Sequence, residues 1–111
     1  MKTYGLKDEQ GNEFAFEVNN FLLDRLDVCA LVRRIPGAKL MLVPSGRGEA
    51  DFCEFELDDV VFLVSEPFGD NSRYWVGPKP PVRGVPQLAR VRAAFDDARR
   101  VWDFLPWRKG A

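Results

Sequence analysis

The sequence predicts an α+β fold. It reads as an antiparallel or mixed sheet of about five to six strands with two helices mainly on one face, in the order ββαβββ and then a C-terminal helix. Three observations predict it. Asp51–Leu57 (DFCEFEL) alternates apolar and polar residues with the period of a half-buried strand. Only Asp58-Asp59 separates it from Val60–Glu66, a run rich in β-branched and aromatic residues, so the two form a tight hairpin. Near the C-terminus Leu88, Val91, Phe95, Ala98, Trp102 and Leu105 are spaced three and four apart, as one stripe of a long helix.

A two-residue turn fixes the register of the central hairpin. Leu57 should oppose Val60, Phe55 should oppose Phe62, Cys53 should oppose Val64, and Asp51 should oppose Glu66, all on one core-facing side. The other side then carries Glu56 beside Val61, Glu54 beside Leu63, and Phe52 beside Ser65. Both turn positions need positive φ, which Asp adopts less readily than Gly. Pro67–Ser72 is a loop of turn-forming residues. Arg73–Val76 is the third strand, ended by Gly77-Pro78. Pairing Arg73 with Glu66 and Trp75 with Val64 would add Tyr74 and Val76 to the mixed side.

The other elements follow in order. Lys2–Leu6 and Phe14–Val18 flank the polar turn KDEQGN and predict a first hairpin. Asn19 or Asn20 is placed to cap a helix that runs to about Arg34 and is stopped by Pro36-Gly37. Leu22, Leu26 and Cys29, with Val28, Leu31, Val32 and Ile35 beside them, give it a wide apolar sector suited to lying on a sheet. Lys39–Val43 (KLMLV) reads as a buried strand. Residues 77–86 hold four prolines and read as an extended strap, and 106–111 as a frayed tail. The 111 residues form a single domain, large enough for its own core.

Composition restricts the chemistry. There is no histidine, which removes the commonest general base, the commonest transition-metal ligand and every Ser-His or Cys-His arrangement. Cys29 and Cys53 are far apart in sequence, lie in apolar patterns, and are expected to be buried, reduced and unlinked. GRGEAD at 46–51 precedes a strand and lacks the third glycine of a dinucleotide loop. No metal site or cofactor is expected, and the balance of evidence is against an enzyme. A formal net charge of −1 argues against bulk electrostatic binding to nucleic acid. MKTYGLKDEQ has no apolar signal core, and no apolar run approaches the roughly 20 residues that span a bilayer, so no membrane association and a cytoplasmic location are expected.

Charge is nonetheless segregated. Residues 33–47 hold only basic charges, 49–70 only acidic ones, and 73–92 only basic ones again, which lets neighbouring elements attract one another. The functional expectation is a small non-catalytic interaction module that binds a protein partner or self-associates through the mixed sheet face. Its residues would be Phe52, Glu54, Glu56, Val61, Leu63 and Tyr74. The alternative is a small-ligand site or unusual enzyme pocket beside the 67–72 loop. Asp51, Glu66, Asp70, Arg73 and Tyr74 would supply its polar groups.

Overall fold

Asp58 and Asp59 have φ of 49° and 65°, so both turn residues of the central hairpin lie in the left-handed region. This is the geometry whose twist matches two antiparallel strands joined by two residues. In the computed structural model, which describes residues 1–19, 23–42, 50–66, 73–79 and 84–98, this hairpin joins β4 (Asp51–Leu57) to β5 (Val60–Ser65). The preceding elements are β1 (Thr3–Lys7), β2 (Glu13–Asn19), α1 (Arg25–Arg33) and β3 (Lys39–Leu42). β6 (Arg73–Pro78) and α2 (Pro86–Asp97) follow.

The six strands form one antiparallel sheet in the order β1-β2-β6-β5-β4-β3. Both helices lie on the same face, α1 over β3 and β4 and α2 over β1 and β2. Between them and the sheet sits one core that includes Phe16, Val18, Phe55, Phe62, Val64 and Val76 from the strands. Val28, Leu31 and Val32 join it from α1, and Leu88, Val91 and Phe95 from α2. Phe55 and Phe62 stack at 5.3 Å, and Phe95 meets Phe16 edge to face at 5.4 Å, an offset geometry that aromatic quadrupoles favour.

α1 starts later than the sequence suggests. Asn19 ends β2, and Asp24 caps the helix in a full capping box. Its carboxylate accepts from the Asp27 N–H at 2.8 Å, and Asp27 accepts from the Asp24 N–H at 2.9 Å. The delay turns Leu26 outward, where it is 66% exposed rather than part of the expected apolar stripe. β3 is likewise not a buried strand but one edge of the sheet, and Met41 and Leu42 are 53% and 41% exposed. At the other end of the sheet, Arg92 of α2 donates to Thr3 at 2.8 Å and pairs with Glu13 at 2.8 Å. A side chain at Gly5 would stand 2.6 Å from the Glu13 carboxylate, so the glycine leaves room for that pair.

The β4–β5 register has Leu57, Phe55 and Cys53 opposite Val60, Phe62 and Val64. It then breaks: Asp51 opposes Ser65, not Glu66, because Phe52 is an extra residue in the ladder. The Glu66 N–H donates instead to the Ala50 carbonyl at 2.8 Å. β6 is displaced by one residue from the predicted pairing, with Val76 opposite Val64 and Trp75 opposite Ser65. Since strand side chains alternate, that step exchanges the faces of all of them. β6 also continues through Gly77 and Pro78, and Pro86 opens α2, so the predicted strap is cut back at both ends. Residues 80–83 lie outside the described residues, as do Trp102, Leu105 and the predicted tail.

Two measurements check this packing. Phe95→Ala should cost about 3–5 kcal/mol in urea or thermal unfolding, because it removes a fully buried ring from the α2–sheet contact. Asp59→Gly should raise stability by up to about 1 kcal/mol, because glycine adopts the left-handed conformation without steric penalty. A stable Phe95→Ala protein would place α2 outside the core, and a destabilised Asp59→Gly protein would contradict the turn.

Candidate functional site

The sheet face opposite the helices is defined by strand parity. Lys2, Tyr4 and Leu6 stand on it from the β1 side, and Ala15 and Glu17 from β2. Arg73, Trp75 and Gly77 come from β6, Val61, Leu63 and Ser65 from β5, and Asp51, Glu54 and Glu56 from β4. Lys39 and Leu42 complete it from β3. Among the described residues no helix lies across this face.

Its centre is Trp75. A Cβ added at Gly77 would lie 2.7 Å from Cη2 of that indole and 2.9 Å from the Ala15 Cβ. The ring therefore lies over the glycine and covers backbone that lacks a side chain of its own, as aromatic residues do beside strand glycines. Leu63, half-buried, is the residue paired with Gly77, and Val61 continues the apolar strip along β5.

Ion pairs hold the margins. Arg73 pairs with Glu17 at 3.0 Å and stacks over the Tyr4 ring at 3.8 Å, with the Lys2 ammonium also over that ring at 5.4 Å. Across Trp75, Lys79 pairs with Glu54 at 2.8 Å. The Glu54 carboxylate raises the Lys79 ammonium above its ordinary value, through their hydrogen bond first and their charge attraction second. Both pairs are substantially solvated, so they set orientation and contribute little stability.

Glu54, Glu56, Val61 and Leu63 of the expected set stand on this face. Phe52 and Tyr74 do not, being only 2% and 4% exposed on the helix side. Phe52 is carried there by the extra residue in β4, and Tyr74, with Val76, by the one-residue step in β6. They meet edge to face at 5.1 Å, and the Arg25 guanidinium of α1 covers Phe52 at 4.8 Å. Arg25 also pairs with Glu66 at 2.9 Å, and the Tyr74 hydroxyl donates to the Leu23 carbonyl at 2.8 Å.

The described residues of the alternative pocket are divided between the two faces. Glu66 and Tyr74 share the helix side, but Arg73 is committed to Glu17 and Tyr4 on the opposite face. Asp51 is exposed beside Ser65, and Asp70 lies outside the described residues. An open hollow of about 500 Å³ at the β1–β2 turn is lined by Lys7, Asp8, Glu9, Gln10 and Phe14. There the Asp8 carboxylate accepts from the N–H groups of Gln10 and Asn12, both at 2.9 Å, as a turn-forming side chain does. Among the described residues no group of acidic or thiol side chains is arranged to hold a metal ion, and no helix is long and apolar enough to cross a membrane.

Trp75 and Tyr4 are the site residues that sequence reasoning missed. The signal for Trp75 was its spacing: an aromatic residue two positions from a glycine in one strand shares a face with it. Tyr4 gave no comparable signal, since its partner Arg73 is brought to it only by the β1-β2-β6 order. No known protein family, curated protein or solved structure matches the chain.

The buried tyrosine provides a pH test. Burial first, and the Glu66 and Asp24 carboxylates next, push the Tyr74 phenol up to about 12 from its ordinary value near 10. With a raised folded-state value, its contribution to stability is complete below about pH 10 and is lost as pH rises toward about 12. Unfolding free energies should therefore fall over that interval more steeply for the native chain than for Tyr74→Phe. Equal slopes would mean that the phenol is open to solvent.

Proposed function

We propose that this chain is a non-catalytic interaction module that self-associates through the helix-free sheet face, with Trp75 and Leu63 as its anchors. The observation that carries the reading is an apolar strip over the centre of a sheet face that no described helix covers, bordered by paired charges of both signs. A two-fold contact places one patch against its own copy, so the patch must be self-complementary. A surface of one sign would repel itself. Here Lys2, Lys39, Arg73 and Lys79 are matched in number by Glu17, Asp51, Glu54 and Glu56. Rotation of the Tyr4 and Glu54 rims permits a like patch to find opposite charges around an apolar centre.

The residues do not favour chemistry on this face. Of its carboxylates, Glu17 and Glu54 are each held in an ion pair with a solvated cation. The aromatic Trp75 and the aliphatic Leu63 are instead suited to exclude water when a second surface closes on them.

Sedimentation equilibrium over a wide concentration range tests the reading. The native chain should show concentration-dependent dimers. Trp75→Ser and Leu63→Lys should each weaken the association roughly tenfold or more, as expected on losing a buried anchor worth above about 1.4 kcal/mol. Lysine is chosen because residue 63 faces Glu54, which its ammonium can reach, so folding stability should stay within about 1 kcal/mol of the native chain. A native chain that is monomeric at all concentrations, or variants that associate as tightly as it does, would overturn the proposal.

A further inference from the structure

The stripe that the sequence lays out as Leu88, Val91, Phe95, Ala98, Trp102 and Leu105 is interrupted in the fold. α2 ends at Asp97, and Ala98 is extended, with φ of −69° and ψ of 115°. One extended residue breaks the helical period, so the spacing no longer assigns a core position to Trp102 or Leu105. The groove under α2 is already closed by Leu88, Val91 and Phe95, all three buried. Residues 99–111, RRVWDFLPWRKGA, thus bring Val101, Trp102, Phe104, Leu105 and Trp107 to a core with no room left beneath α2.

Ala98 stands at the margin of the sheet. Its carbonyl accepts from the Met1 amine, as the Asp96 carbonyl does at 3.1 Å, and Thr3 of β1 donates to the Asp96 carboxylate at 2.6 Å. β1 is an edge strand, so the chain leaves Ala98 beside an edge with α2 on one side and the helix-free face on the other. Tyr4 and Leu6 stand on that face at this edge, and Ala15, Trp75 and Leu63 carry the apolar strip inward. Strands lie about 4.8 Å apart, which puts Trp75 about 10 Å in from β1. An extended chain advances about 3.3 Å per residue, or about 13 Å from Ala98 to Trp102 and about 30 Å to Trp107. That length spans the turn over the edge and the strip as far as Leu63. The charges also match. The segment holds Arg99, Arg100, Arg108 and Lys109 against Asp103 alone, and on the face Asp51 and Glu56 have no ion pair among the described residues.

We propose that residues 99–111 pass over the β1 edge and cover the helix-free face of their own chain, so that a second copy must displace them to bind. Trp102 meets Tyr4 and Leu6, and the stretch from Leu105 to Trp107 reaches Trp75. The inference rests on the reading of that face as the self-association surface and names what regulates it. A segment on so short a tether acts at an effective concentration on the order of millimolar, above that of a second copy in dilute solution. The apparent affinity between copies then falls with the fraction of chains whose face is covered. Removing the apolar side chains of the segment therefore strengthens association, the opposite of removing Trp75 or Leu63.

The test uses the full chain with a nitroxide on Gly110→Cys, the native Cys29 and Cys53 being buried. Methyl signals of Leu6, Val61 and Leu63 should weaken severalfold with the oxidised label relative to the reduced one. Those of Val28, Leu31 and Val32, on the helix side, should be unchanged. The loss should not depend on protein concentration. In sedimentation equilibrium the full chain carrying Trp102→Ser, Leu105→Ser and Trp107→Ser should associate roughly tenfold more tightly than the native chain. Unaffected methyl signals on that face would overturn the inference, as would a loss that grows with concentration and so comes from another chain. Native association that the triple substitution leaves equal or weakens would overturn it too. A concentration-independent loss in a chain that associates in neither form would support the covering segment and overturn the self-association reading alone.

Discussion

Phe52 enters the β4–β5 ladder as a residue without a partner, and its ring turns down into the core against Tyr74 and beneath Arg25. A bulge of this kind bends its strand and redirects the side chains on either side. Here it fastens the start of α1 to the middle of the sheet, because Arg25 both covers the ring and pairs with Glu66. Glu66 is almost fully buried, and a carboxylate there is tolerable only with a charged partner and further hydrogen bonds. Removing Arg25 alone would take its ion-pair partner from a buried carboxylate, whereas the solvated pairs on the opposite face have no such dependence.

The two faces of the sheet accordingly do different work. One is closed by α1 and α2 over a core in which aromatic rings meet in stacked and edge-to-face contacts. The other depends on Trp75, whose ring makes up for the missing side chain of Gly77, and on ion pairs that are mutually satisfied but remain in water. Such a face is stable when uncovered and still has apolar area to bury. The proposed self-association rests on those properties.

Cys29 and Cys53 belong to the closed face, buried in the core where α1 packs on β4 beside Val28, Leu31 and Val32.

The sequence by itself determined the α+β class, the element order, the β4–β5 pairing from Leu57 to Cys53, and the Leu88–Val91–Phe95 stripe of α2. Those features are written in local periodicity and in a two-residue turn, and local rules suffice for them. Glu54, Glu56, Val61 and Leu63 were legible as one face for the same reason. Phe52, Tyr74, Trp75 and Arg73 were not, because a single extra residue in a ladder, or a single step of register, exchanges the two sides of a strand. The sequence on either side of such a step reads equally well in both registers. Only the packing of Phe52 and Tyr74 under Arg25, and the fit of Trp75 over Gly77, decides between them, and those contacts join residues that are brought together by the folded sheet alone.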